Sequence, residues 1–115
     1  MPAPVIPTFS LKQGDTQPPL LVTCSKGDGT IQDLTGATAT TFSLWDQNHS
    51  PVISDAMATV VGAPTNGQLQ YAWQTADTQN AGAFEGEFHV TFSGGGKLSF
   101  PSSGKIQVYI EPRIA

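Results

Sequence analysis

The amino-acid sequence predicts an all-β fold, an antiparallel β-sandwich of roughly seven to nine short strands in two packed sheets. Three observations carry that expectation. Apolar residues recur at period two, as in Gln68-Leu69-Gln70-Tyr71-Ala72-Trp73 and Ile106-Gln107-Val108-Tyr109-Ile110. Turn-forming residues are dense, with 12 Gly and 9 Pro in 115 residues, and they punctuate the apolar runs at short intervals. No stretch places Leu, Ala, Glu and Lys at helical spacing. A chain of this length fits one domain with one core. Residues 1–8 read as an extended N-terminal arm and residues 9–115 as a single sandwich domain.

Taken in order, Met1 to Pro7 hold three prolines and no periodic pattern, which pre-extends the backbone. Val5 and Ile6 give that arm apolar groups to bury on a neighbour. Phe9 to Lys12 alternates as a half-buried strand, and Gly14-Asp15 is a turn. Leu20 to Cys24 is the next strand, with Leu21 and Cys24 both assigned to the core through a bulge. Asp28-Gly29 marks a hairpin turn, and Asp33-Leu34-Thr35-Gly36 a second bend closed by side-chain bonds to the backbone. The Lys12-Gln13-Gly14-Asp15-Thr16 and Asp33-Leu34-Thr35-Gly36-Ala37 segments read together as the ends of a hairpin-like unit.

Thr38 to Trp45 is a long strand with Phe42 and Leu44 facing the core, which sends Trp45 outward or to the rim. Pro51 to Ile53 and Ala56 to Val61 read as short strands broken at Ser54-Asp55, and Asn66-Gly67 as a tight turn. Leu69, Tyr71 and Trp73 share a buried face. Phe84, Phe88, Val90 and Phe92 alternate with polar residues, and Ser93-Gly94-Gly95-Gly96-Lys97 is a hairpin loop before Leu98 to Phe100. Ile106, Val108 and Ile110 form the last inward row. The expected core also includes Leu11, Val60 and Phe100.

Composition excludes several function classes. The net charge is −4, and the five basic residues are scattered, so a nucleic-acid backbone partner is not expected. Charged residues are 12% of the chain, about half the usual share, which leaves much neutral surface for neighbours. The lone cysteine, Cys24, forms no intrachain disulfide and reads as a small buried hydrophobe. No apolar run reaches the ~20 residues of a membrane-spanning helix. Met1-Pro2-Ala3-Pro4 has no basic and apolar leader pattern.

No catalytic, cofactor-binding or metal-binding residues are expected. Asp28-Gly29 lacks the alternating oxygen ligands and closing Glu of a calcium loop. The Gly94-Gly95-Gly96 run has no following helix and no Lys-Ser or Lys-Thr closure for a phosphate. Glu85 and Glu87 lie on one strand face about 7 Å apart, a solvated arrangement rather than a pair facing across a cleft. His49 falls in a polar loop and reads as solvated.

Thr75-Ala76-Asp77-Thr78 followed by Gly82-Ala83-Phe84 is similar to the tyrosine-corner region of immunoglobulin-like domains. Phe84 stands where the tyrosine belongs, so the corner hydrogen bond is not expected. Gly86 stands where antibody domains carry a cysteine. An immunoglobulin-like sandwich without a disulfide is the resulting expectation. The order of Lys12-Gln13-Gly14-Asp15, Pro19-Leu20, Asp28-Gly29, Asp33-Leu34-Thr35-Gly36-Ala37, Gly67 to Tyr71 and the later strand motifs resembles the N-terminal immunoglobulin-like domain of the phage baseplate upper protein family.

That resemblance implies a non-enzymatic bacteriophage virion structural protein, a tail, baseplate or neck component acting through assembly contacts. The alternatives are a capsid decoration or head-fibre protein, and a carbohydrate- or receptor-binding module in host attachment. The implied partners are other virion proteins, in a symmetric homo-oligomer or in many copies, with no nucleic acid and no membrane. The implied location is the virion, after synthesis in the host cytoplasm. Val5, Ile6 and Trp45 are the assembly-interface candidates.

Overall fold

The computed structural model describes residues 8–26, 30–101 and 105–113. It is an all-β, immunoglobulin-like sandwich. Its strands are β1 (Thr8–Lys12), β2 (Leu20–Thr23), β3 (Ala37–Asp46), β4 (Pro51–Met57), β5 (Thr59–Val61), β6 (Gln68–Tyr71), β7 (Gly82–Phe92), β8 (Lys97–Phe100) and β9 (Ile106–Glu111). The large sheet runs β1-β9-β7-β3-β4, with β8 continuing the edge of β7 beyond β9. The small sheet runs β2-β6-β5. Pairing is antiparallel except between β1 and β9, which run parallel. Two single-turn 3₁₀ segments, Pro64–Asn66 and Thr75–Thr78, occupy connections flanking β6. Thr8 belongs to β1, so the sandwich begins one residue before the expected boundary. Val5 and Ile6 lie outside the described residues, as does the Asp28-Gly29 turn.

Period-two alternation builds the core from both sheets. Phe84, Gly86, Phe88 and Val90 of β7 point inward, as do Phe42 and Leu44 of β3 and Ile106, Val108 and Ile110 of β9. The small sheet answers with Leu20, Val22, Leu69 and Tyr71. Each large apolar side chain so enclosed contributes about 1.5–3 kcal/mol through lost water contact. Phe42 is the hub. Its ring centroid lies 4.8 Å from Phe88, 4.9 Å from Tyr71 and 6.0 Å from Trp73. Gly86 makes room for it, since a Cβ there would stand 2.8 Å from Phe42 Cζ. Gly86 thus forms the floor under an aromatic ring.

Several local expectations change. Leu21 is exposed, and Leu20 and Val22 are buried instead, which brings Cys24 inward in the same phase without a bulge. An uninterrupted apolar run carries no alternation, so pairing with β6 chooses its phase. The strand break falls at Ala58 rather than at Ser54-Asp55. The two N-terminal motifs are not ends of one hairpin, because β1 joins the large sheet and β2 the small one. Val60 is only partly buried. Leu34 joins the core from a loop. Asp33 Oδ1 accepts from the Thr35 backbone N–H at 2.9 Å and from its hydroxyl, and the Leu34 N–H donates to the Pro64 carbonyl at 3.0 Å. These bonds turn the chain so that Leu34 plugs the sandwich end.

A corner hydrogen bond also forms, from a different tyrosine. Tyr71 at the end of β6 donates to Asp77 Oδ2 in the 3₁₀ turn leading to β7. The same oxygen accepts the Gln74 N–H at 2.8 Å. That turn is held from its other side by the first loop, where the Gly14 N–H donates to the Thr78 carbonyl and the Thr78 hydroxyl donates to the Asp15 carbonyl. Gly14 sits at φ +85, the left-handed region that glycine enters without a Cβ clash.

Candidate functional site

The outward faces of β3, β4 and β7 enclose a cleft of about 210 Å³. Strand alternation supplies most of it. Because Phe42 and Leu44 point inward, Ser43 and Trp45 point out; because Phe84, Gly86 and Phe88 point inward, Glu85, Glu87 and His89 point out. The β3–β7 register sets Trp45 opposite Glu85, Ser43 opposite Glu87 and Thr41 opposite His89. Cross-strand neighbours of this kind stand close enough for their side chains to interact.

Two further residues arrive by irregular routes. Along β4, Ala56 pairs with Phe42 but Ile53 pairs with Leu44, so one extra residue is accommodated. The bulge centres on Asp55, whose φ is 48. Its N–H donates to Ser43 Oγ at 3.0 Å, and the Ser43 and Thr41 hydroxyls approach its Oδ1 at 3.4 and 3.5 Å. A bulge bends its strand and re-aims a side chain; here it brings the Asp55 carboxylate to the cleft. Lys105, immediately before β9, reaches in from the opposite side.

Glu87 is the hub of the cleft's charges. Its Oε2 stands 2.9 Å from Lys105 Nζ and its Oε1 3.1 Å from His89 Nε2. His89 Nδ1 stands 3.2 Å from Ser99 Oγ across the β7–β8 pair. The Lys105 ammonium also lies over the Trp45 ring, 5.7 Å from its centroid, where the ring quadrupole attracts a cation. His49 meets the same ring edge-on at 5.5 Å. Trp45 Nε1 is covered and has no hydrogen-bond partner. Glu85 forms no hydrogen bond or ion pair among the described residues. Three carboxylates, Asp55, Glu85 and Glu87, share the cleft with the single ammonium of Lys105.

The cleft gathers Trp45, one of the residues singled out from sequence, with Glu85 and Glu87, which the sequence suggested were merely solvated. Ser43, Asp55, His89 and Lys105 join them with no motif in the sequence to mark them. His89 was accessible to the same alternation argument that placed Glu85 and Glu87. Asp55 and Lys105 depend on a bulge and on strand order, for which no local signal exists. Among the described residues, no three His, Cys, Asp or Glu side chains converge as metal ligands. The described helical segments include none long and apolar enough to cross a membrane.

Comparison with known proteins bears on the fold. No protein-family model matches the chain, and no curated protein does. Among solved structures the chain is similar to CopC from Methylosinus trichosporium OB3b, with a TM-score of 0.53, 16% identity, and coverage of 95% of this chain and 88% of that one. At that identity the likeness is one of fold. The expectation of a bacteriophage virion structural protein is corrected by this match, which runs over nearly the whole chain to CopC rather than to a virion component. The motifs behind that expectation are turn chemistry and strand alternation, which any sandwich of this shape requires.

Proposed function

We propose that this chain is a non-catalytic binding module that takes a small polar ligand in the cleft formed by β3, β4 and β7. The observation that carries this reading is the concentration of charge. The chain has nine acidic and five basic residues in 115, yet Asp55, Glu85, Glu87, His89 and Lys105 share a single 210 Å³ cleft beside Trp45. A concave site with an aromatic wall and a few convergent polar groups is the usual form of a small-molecule site. On β3 and β7 the cleft residues Ser43, Trp45, Glu85, Glu87 and His89 alternate with inward-facing residues.

The row Ser99–His89–Glu87 has the order of a nucleophile, base and acid. Binding is nonetheless the better reading. Ser99 stands exposed on β8 and is not among the residues that line the cleft. Glu87 is already gripped by both His89 and Lys105.

The test is a chemical-shift titration of the folded chain with a panel of cationic, anionic and neutral small molecules. The expected result is saturable movement of cleft amides and of the Trp45 indole N–H, with the Trp73 indole N–H unmoved. A panel in which no member moves the cleft resonances would overturn the reading.

A further inference from the structure

We propose that the ligand of this cleft is a small organic cation bearing a primary ammonium group, and that Lys105 occupies the ammonium position until such a ligand displaces it; this rests on the binding-module reading above. Four observations converge. First, an ammonium is already seated there: Lys105 Nζ lies between the Trp45 ring, at 5.7 Å, and Glu87 Oε2, at 2.9 Å. A ring face plus a carboxylate is the chemistry that holds alkylammonium groups. Second, the Lys105 side chain keeps 31% of its surface exposed. A flexible side chain in that state can swing into water at small cost, since partly exposed pairs are weakly held.

Third, the acidic charge exceeds what Lys105 neutralises. Glu85 is opposite Trp45 in the β3–β7 register and has no ion-pair partner among the described residues. Asp55 faces the same space; among the described residues its carboxylate is approached only by the neutral Ser43 and Thr41 hydroxyls, while its backbone N–H donates to Ser43 Oγ. A second positive charge is therefore favoured beside these carboxylates even with Lys105 in place. Fourth, the wall is aromatic and apolar as well as acidic, with Trp45 and the exposed Pro51 lining it. That suits an alkyl chain between two charged ends better than a hydrated metal ion. The ligand that satisfies all four is an alkyl diamine: one ammonium takes the Lys105 position on Trp45 and Glu87, and the other meets Glu85 and Asp55.

The probe is 1,4-diaminobutane, with butylamine, butanol and succinate as controls, titrated into the folded chain and read by the Trp45 indole and cleft amide shifts. The diamine is expected to bind most tightly, butylamine more weakly, and the neutral and anionic controls not at all. Added salt should weaken the binding, as it does any partly exposed charge contact. Lys105→Met removes the built-in competitor and should tighten diamine binding by roughly five-fold, whereas Glu85→Gln and Glu87→Gln should each weaken it by a similar factor. A dispersed amide spectrum for each variant establishes that it is folded before its affinity is compared.

Succinate binding that is lost in Lys105→Met would overturn the cation assignment and leave the binding-module reading standing, with Lys105 as an anion anchor. Butanol binding as tightly as the diamine would overturn it in favour of an apolar ligand. Weaker diamine binding in Lys105→Met would show that Lys105 helps the ligand rather than competing with it, and would overturn the displacement. Silence from every compound would remove both readings together.

Discussion

The Tyr71 hydroxyl donates a 2.6 Å hydrogen bond to Asp77 Oδ2, and that contact ties the end of the small sheet to the turn that leads into β7 of the large one. Tyr71 is 3% exposed, and its ring packs on Phe42 and Trp73. Asp77 also caps its own turn by accepting the Gln74 N–H. The two partners are therefore not equivalent.

Tyr71→Phe keeps the ring and loses one charge-assisted bond, at a cost of about 1–2 kcal/mol. Asp77→Ala loses the cap as well and strands a buried hydroxyl, at about 2–4 kcal/mol. Denaturant melts of both variants and the double variant should show Asp77→Ala as the costlier change. They should also show a double variant less destabilised than the sum, since Phe removes the stranded hydroxyl.

Alkaline pH should destabilise the fold through two buried acids. Burial pushes the Cys24 thiol up from 9.0 to about 12. Burial, then the hydrogen bond to Asp77, then the Asp77 charge raise the Tyr71 phenol above its ordinary 10.0. In both cases the folded state holds the proton more tightly than the unfolded chain. Their stabilisation is complete below the unfolded values and declines as pH rises through the folded ones. Cys24 thus acts between about pH 9 and 12, and Tyr71 from about pH 10 upward. Cys24→Ala should flatten the fall of stability across that range, with Tyr71→Phe flattening it further at the upper end. Parallel curves for wild type and variants would show that neither group titrates against the fold.

Gly86→Ala should destabilise by about 1–3 kcal/mol, the usual cost of overfilling a packed core. The new Cβ would stand 2.8 Å from Phe42 Cζ and 3.0 Å from the Ser43 carbonyl oxygen. Phe42 cannot swing aside, because Phe88, Tyr71 and Trp73 hold its ring. Gly86 is not in the left-handed region, so the effect is steric, and Phe42→Leu in the same chain should recover part of the loss. A neutral thermal melt for Gly86→Ala would show that the core yields there.

The two tryptophans should differ sharply. Trp73 is 3% exposed between Phe9, Phe42 and Tyr71, so Trp73→Ala should cost ~3–5 kcal/mol. Trp73 Nε1 is buried without a hydrogen-bond partner. Trp73→Phe should therefore cost far less, because it removes an unpaired donor along with part of the ring. Trp45 lies on the outer face, and Trp45→Ala should cost under about 2 kcal/mol while abolishing diamine binding. Equal losses for Trp45→Ala and Trp73→Ala in denaturant would place Trp45 in the core instead.

Much of this architecture was legible because alternation is a local property. In β7, Phe84, Phe88 and Val90 could face the core only if Glu85, Glu87 and His89 faced out, and β3 repeats the argument with Phe42 and Leu44 against Ser43 and Trp45. The sequence by itself therefore determined the all-β class, the inward rows and half of the cleft. Tertiary structure decided the rest. The Leu20-Leu21-Val22 run has no internal phase, so its pairing with β6 decides which residues are buried. Leu34 is buried by a loop whose course depends on the distant Pro64 carbonyl. Asp55 reaches the cleft through an extra residue in β4, and Lys105 through the adjacency of β9 and β7. Neither strand order nor a bulge leaves a mark in the residues beside it. The charge cluster that suggests a function is non-local for that reason, assembled by long-range pairing from three separate stretches of chain.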